Sequence, residues 1–359
     1  MTQLNPSGSR PGRPIDSAVS GERHTLSLMP AHRGILVTGL PRSGTSWVGK
    51  MLQAGGEVVY VNEPLNPSHP PGRSPGVLNA DVTHRYQYIC ADNEEQWLRA
   101  FSDTLQLRYH LAAELRRNHR AYDLARLAKY SSAFVVGKVR HRRPLLDDPF
   151  AVFSSAWFAQ RAGCQVIVCV RHPFGFVGSW RQLGWRAPLG ELLDQPLLIR
   201  DLLGDYSDEM RAMDRSADLI ARTALLWRIT YAVIDEIAAR TPGLHIWRYE
   251  DLARSPVASF RELYATCGLT WTERAQRRIA AATSSARNAE RSHFVWSLRG
   301  GLSHTAFRPM NSGAALGLYR ERLHPQEVQR VQELTSEVAK RYYEGTDYDE
   351  KLKDHEGLS

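Results

Sequence analysis

A chain of 359 residues is long enough to bury a proper core as one large domain or two ordinary ones, which excludes a peptide, a repeat fragment or a disulfide knot. With 43% hydrophobic, 23% charged and 9% aromatic residues, its composition is that of an average globular protein, which excludes wholesale disorder and a collagen-like repeat. The formal charge is +8, and the ten basic residues from Arg108 to Arg143, set against Glu114 and Asp123, carry all of that excess. Such a patch suits nucleic acid, an anionic surface or an acidic substrate, or forms a solvated helix face.

Residues 1–32 hold Pro6, Gly8, Pro11, Gly12, Pro14 and Gly21 among polar neighbours with no periodicity, and read as a flexible arm. A single domain is expected over residues 33–345, with a polar tail at 346–359. Gly34 to Gly39 forms a short apolar strand, Leu40 to Ser46 a turn, and Trp47 to Ala54 a helix. Glu57 to Val61 is a second strand, ending at Asn62-Glu63-Pro64. Asp92 opens a helix in which Trp97, Phe101, Leu105, Arg108, Leu111 and Leu115 recur at helical spacing, with Glu95 completing a capping box.

Phe134 to Lys138 and Pro144 to Leu146 compete as the third strand. A helix over Phe150 to Ala162 leads to the strand Gln165 to Val170, then to Arg171-His172-Pro173 and a helix reaching Gln182. Ala217 to Ala239 is a long helix, Leu244 to Arg248 the last strand, and Pro256 to Cys267 and Pro325 to Tyr343 are helices. Strands alternating with helices predict an α/β fold: a P-loop-type, mainly parallel sheet flanked by helices, in a single domain.

Cys90, Cys164, Cys169 and Cys267 show neither Cys-x-x-Cys pairing nor a histidine at zinc-ligand spacing, so no disulfide framework and no metal site are expected. No apolar run reaches the roughly 18 residues of a membrane helix, and the N-terminus lacks the apolar core of a signal peptide. The expectation is a soluble cytoplasmic protein without integral membrane association.

A strand feeding a turn that opens a helix aims unpaired N–H groups and the helix dipole at one point. Gly39-Leu40-Pro41-Arg42-Ser43-Gly44-Thr45-Ser46 has that form. Gly44 admits a ligand to the backbone, Arg42 adds a fork suited to tetrahedral oxyanions, and Thr45 and Ser46 add hydroxyl donors. The segment reads as a cradle for phosphate or sulfate. Thr45 stands where the nucleotide-triphosphatase loop needs its lysine, which argues against magnesium-dependent phosphoryl transfer.

Leu40 to Trp47 (LPRSGTSW) resembles the 5′-phosphosulfate loop of sulfotransferases that use 3′-phosphoadenosine 5′-phosphosulfate (PAPS). Val168 to Trp180 (VCVRHPFGFVGSW), about 125 residues further on, resembles that family's 3′-phosphate motif: an arginine ending a strand and a serine eight residues later. Arg248 to Leu252 (RYEDL) and the closing helix region are also similar, so the resemblance runs from about Gly34 to Gly345. It is tightest in the bacterial branch with carbohydrate and small-molecule acceptors.

The resemblance implies PAPS as co-substrate and no metal, with Arg42, Ser43, Gly44, Thr45, Ser46, Trp47, Arg171 and Ser179 binding it and Arg42 also stabilising developing charge. By the same resemblance Trp47 is a candidate to stack on adenine, while a Trp at the start of a buried helix is as often simply core. Sulfuryl transfer to an acceptor hydroxyl needs a base. Glu63 lies just past the second strand, and N-E-P-L resembles the segment holding the catalytic glutamate of carbohydrate sulfotransferases. His141 competes, because Lys138-Val139-Arg140-His141 resembles the Lys-x-His of steroid and phenol sulfotransferases with one residue extra.

Bacterial members often carry Lys-Asp-Pro where this chain has Asp147-Asp148-Pro149, which leaves Arg42, Lys138 or another arginine to neutralise the leaving group. Ser297 to Gly317, with Arg299, Gly300, Gly301 and Arg308, suits a lid, and Trp180, Trp185, Trp227 and Trp247 are candidate walls of an acceptor pocket or core residues. Two readings compete with sulfuryl transfer: a P-loop kinase or phosphotransferase, and a basic nucleic-acid-binding protein.

Overall fold

The computed structural model describes residues 34–67, 80–117, 121–284 and 311–345. The expected arm, the expected tail, and Arg299 and Arg308 lie outside the described residues. Five parallel strands form one sheet in the order β2-β3-β1-β4-β5: β1 (Ile35–Thr38), β2 (Val58–Asn62), β3 (Arg143–Asp147), β4 (Gln165–Val170) and β5 (Leu244–Arg248). The strands are near-continuous apolar runs because both faces of the sheet are covered. Ile35, Val37, Ile167 and Cys169 enter one core layer, while Leu36, Val166, Val168 and Val170 enter the other.

The helices follow in chain order. α1 is Thr45–Gln53, α2 Glu94–Leu105, α3 Leu111–Arg117, α4 Ala121–Val139, α5 Ser155–Gln160 and α6 Pro173–Leu183. Beyond them lie α7 (Leu189–Leu193), α8 (Pro196–Leu198), α9 (Ser207–Asp214), α10 (Leu219–Arg240), α11 (Tyr249–Arg254), α12 (Pro256–Thr266), α13 (Glu273–Thr283), α14 (Tyr319–Arg322) and α15 (Pro325–Tyr343). Pro173, Pro256 and Pro325 occupy first helical positions, where the missing N–H costs nothing and the fixed φ suits the helix. The side chain of Asp218 caps α10 by accepting from the Ala221 N–H at 2.9 Å.

Three sequence expectations are corrected. The helix expected from Asp92 through Leu115 is broken: Leu107 has φ 53° and is buried, so α2 ends at Leu105 and Leu111 and Leu115 belong to α3. No capping box forms at its start, where Asn93 is the N-cap and Glu95 pairs instead with Arg99 at 2.7 Å. Phe134 to Lys138 is not a strand but the last turns of α4. Its β-branched Val135-Val136 pair imitates a strand, yet only Phe134 of the three turns inward, as one helical face requires.

α1 packs in the layer with α12 and α13, whereas α6 packs in the opposite layer with α10. The chain therefore leaves β1 and its neighbour β4 toward opposite faces, opening a crevice at their carboxyl ends, where open α/β sheets bind ligands.

α4 lies close on the edge strand β2 because Gly137 has no side chain: a Cβ there would stand 2.2 Å from Val59 Cγ2. Gly137→Ala gains about 1 kcal/mol of helix propensity but overpacks this contact. Chemical denaturation is expected to show a net loss of up to about 2 kcal/mol, partly restored by adding Val59→Ala.

Candidate active site

The loop after β1 is shaped by two glycines. Gly39 has φ 135°, and a Cβ there would lie 2.3 Å from the Cys169 carbonyl oxygen; Gly44 has φ 99°, and its Cβ would lie 2.6 Å from Tyr249 Cδ2. The Ser43 N–H donates to the Leu40 carbonyl at 3.0 Å and closes the turn. Beneath it, the Tyr231 hydroxyl on α10 donates to the Cys169 carbonyl at 2.8 Å and lies 2.9 Å from Ser43 Oγ. A phenol has one proton, so Ser43 is the donor in the second bond. Ser43 therefore holds the loop and does not offer its hydroxyl to a ligand.

The first turn of α1 leaves the N–H groups of Thr45, Ser46 and Trp47 without helical acceptors, pointing toward the crevice. Trp47 itself is buried, edge-on to Tyr249 at 5.4 Å and to Phe260 at 5.2 Å, so its ring is part of the core.

Three guanidinium groups converge in front of this turn. Arg42, in the left-handed region at φ 80°, donates from Nε to Ser179 Oγ at 3.0 Å. Arg171, at the end of β4, donates to the Arg42 carbonyl at 3.1 Å and stacks 4.6 Å above the Tyr249 ring. Arg322, at the end of α14, is the third. Burial, then Arg171, then Arg322 bring the Arg42 pKa down to about 10, and burial and Arg171 lower that of Arg322. No described carboxylate forms an ion pair with any of them. Among the described residues the cluster keeps a net positive charge, with Glu321 acting on Arg322 without an ion pair.

Arg171 is anchored from behind. The Trp227 Nε1–H donates to its carbonyl at 2.8 Å, and the next N–H, of His172, donates to Glu250 Oε1 at 3.0 Å. Burial keeps the His172 ring neutral, with a pKa of about 3, so it serves as a cap that accepts from the Phe174 N–H. Tyr343 donates to Glu250 Oε2 at 2.9 Å and ties α15 to the same point.

Glu63 follows β2 directly with φ 46°, and its N–H donates to the Asp147 carbonyl at 2.7 Å. Its Oε2 accepts from Asn66 Nδ2 at 2.6 Å, and burial raises its pKa above the ordinary glutamate value. It opens on a cleft of about 610 Å³ lined by Pro41, Tyr86, Phe150, Trp180 and Trp185 among others. Trp180 joins cleft and loop, because its Nε1–H donates to the Pro41 carbonyl at 2.9 Å. Of the four tryptophans singled out from the sequence, Trp180 and Trp185 line this cleft, whereas Trp227 is core and Trp247 packs in the layer of α1.

The Asp147-Asp148-Pro149 segment lies beside Glu63. Asp148 accepts from the N–H groups of Leu65 at 2.6 Å and Phe150 at 3.0 Å and so ties the Glu63 loop to β3. Asp147 is buried against the Tyr60 and Ser46 hydroxyls, with a pKa raised by burial to about 6. A cation does reach this point, but from α1: Lys50 interacts electrostatically with Asp147, its Nζ lying 3.3 Å above the Tyr60 ring.

His141 and Lys138 are not at the site. His141 is exposed just past the C-terminus of α4 and before β3 begins, about 16 Å of strand from the carboxyl edge that holds Glu63. The element before it is a helix, so its likeness to the Lys-x-His strand motif fails. Arg322 is not among the residues singled out from the sequence; it lies just before the closing helix, whose region resembles the family, but nothing in the spacing shows that the chain returns there.

The sulfotransferase family model matches residues 34–273. The chain belongs to the sulfotransferase family. Solved structures similar to this family member include the sulfotransferase domain from the curacin biosynthetic pathway, at 14% identity over 85% of this chain and 98% of that one, TM-score 0.42. The sulfotransferase domain of the Synechococcus PCC 7002 olefin synthase is 16% identical over 87% and 96%, TM-score 0.42. Sulfotransferase STF9 from Mycobacterium avium is 14% identical over 89% and 79%, TM-score 0.40. Among curated proteins, none matches it.

An anion entering between the three arginines relieves their mutual repulsion. Millimolar pyrophosphate is therefore expected to raise the melting temperature, with a clearly smaller gain in Arg322→Ala. Equal gains in both proteins, read by differential scanning fluorimetry, contradict the assignment of Arg322.

Proposed function

We propose that this family member moves a sulfuryl group from PAPS to an acceptor hydroxyl, sugar or small molecule, by in-line displacement with Glu63 as general base. One observation carries the reading. Three arginines with no ion-paired carboxylate among the described residues meet a helix N-terminus, and a half-buried glutamate opens on the adjoining cleft. The residues suit a doubly anionic nucleotide: Gly39 and Gly44 let the loop backbone pack against Cys169 and Tyr249, which sets the free N–H groups of α1 beside the arginines.

Arg42 and the N–H groups of Thr45, Ser46 and Trp47 hold the phosphosulfate end, while Arg171, Ser179 and Arg322 hold the 3′-phosphate. PAPS supplies the activated sulfuryl group. Arg42 and the helix N-terminus stabilise the charge that develops on the leaving phosphate oxygens. Glu63 accepts the proton of the acceptor hydroxyl, which Trp180 and the other cleft walls orient and shield from water. Asn66 and the Asp147 carbonyl fix the carboxylate of Glu63 and its backbone. A kinase reading finds less support, since Thr45 occupies the place of the phosphate-binding lysine and a 3′-phosphate clamp serves no purpose with ATP.

Labelling an extract of small molecules and glycolipids with PAPS carrying radioactive sulfur is expected to give a sulfated product in the presence of chelator. Glu63→Gln should abolish labelling while nucleotide affinity is kept. Because the base must be ionised and burial raises its pKa, kcat/KM on the identified acceptor should fall as pH drops through a limb above 4.5, the ordinary glutamate value. Full labelling by Glu63→Gln removes the base assignment, and transfer from ATP and magnesium alone overturns the reading.

A further inference from the structure

The described basic residues between Arg108 and Arg143 take no part in the site, and the stretch carries an unusual surface. Of the eight large apolar side chains that stand exposed among the described residues, six lie on α3 and α4: Leu111, Leu115, Leu124, Val135, Val136 and Val139. Val139 is 73% exposed and Val135 60%, more than any of the other six. At 100° per residue, Leu124, Val135, Val139 and Val136 fall on one stripe of α4, opposite the face that buries Leu127 and Phe134. Lys129 and Lys138 fall at the two margins of that stripe, and both are exposed.

Arg140 and His141, also exposed, continue the positive charge past the helix end, while Glu114, one of the stretch's two acidic residues, is buried. A stripe of exposed aliphatic side chains bordered by lysines suits a helix surface that rests against a membrane interface. No helix among the described residues is long and apolar enough to cross a bilayer, so the surface fits peripheral docking.

We propose that the α3–α4 face docks this protein on an anionic lipid bilayer, the valines and leucines entering the acyl boundary and the basic residues meeting the headgroups. Charge decides the occupant. A second copy of the chain would bring a like-charged patch against this one, whereas a negative leaflet neutralises it. The aliphatic stripe argues against nucleic acid, which is held by phosphate contacts and by stacking on aromatic rings.

Sedimentation of the full chain with vesicles tests the proposal. Binding is expected to phosphatidylcholine vesicles containing about a third phosphatidylglycerol, and to be much weaker with phosphatidylcholine alone. Lys129→Ala and Lys138→Ala should each weaken it about fivefold at low ionic strength. Val135→Ser with Val139→Ser should weaken it at every salt concentration, and both substitutions are at exposed positions that leave the core intact. No binding to the anionic vesicles overturns the proposal, as does binding that the valine variants leave unchanged. Binding to single-stranded RNA that is lost in the lysine variants and kept in the valine ones overturns it in favour of nucleic acid. A dimer in solution that Val135→Ser with Val139→Ser dissociates overturns it in favour of self-association.

Discussion

Confinement of like charge governs the site. Arg42, Arg171 and Arg322 are brought together with no ion-paired carboxylate among the described residues, and burial lowers the pKa of Arg42 and Arg322. Such an arrangement persists only because the fold over-determines it. The Tyr231 hydroxyl ties the Leu40–Ser43 turn to the end of β4, Trp227 and Glu250 hold the backbone at Arg171 and His172, and Tyr343 extends that hold to the closing helix. The buried polar residues behind the loop, Ser43, His172 and Glu250, are explained by this anchoring.

The other half of the site has the opposite sign. Glu63, Asp147 and Asp148 stand together at the ends of β2 and β3, and their mutual repulsion adds to the burial that raises Asp147 and Asp148. Asp148 answers with two backbone N–H donors, and Asp147 with the Tyr60 and Ser46 hydroxyls and with Lys50. Glu63 opens on the cleft, held by Asn66. The arginines that follow β1 and β4 and the Glu63 that follows β2 are thus separated by β3, with Trp180 joining the Pro41 loop to the cleft.

Much of this was legible before the fold was known, because local patterns carried it. β4, β5 and α15 match their sequence readings residue for residue, each being an apolar run or an amphipathic stretch bounded by glycine or proline. The turn from Gly39 to Ser46 and the place of Arg171 at the end of β4 were readable because they lie within a few residues of a strand end. The failures were non-local. Val135-Val136 imitated a strand where tertiary contact with β2 imposes a helix, and His141 resembled a base only if that strand existed. Arg322 and Lys50 reach their partners across the fold, at separations that no spacing rule expresses. Ser43 and Trp47 belong to the loop motif, yet their side chains serve the loop and the core.

Under the proposed function, the three arginines form a clamp for a nucleotide bearing a 3′-phosphate. Isothermal titration with 3′-phosphoadenosine 5′-phosphate and with adenosine 5′-phosphate tests it without an acceptor. The account predicts that the 3′-phosphate tightens binding about tenfold or more, as charge-assisted hydrogen bonds to guanidinium groups do, and that Arg171→Ala erases the difference. Equal affinity for the two nucleotides in the unmodified protein would contradict it.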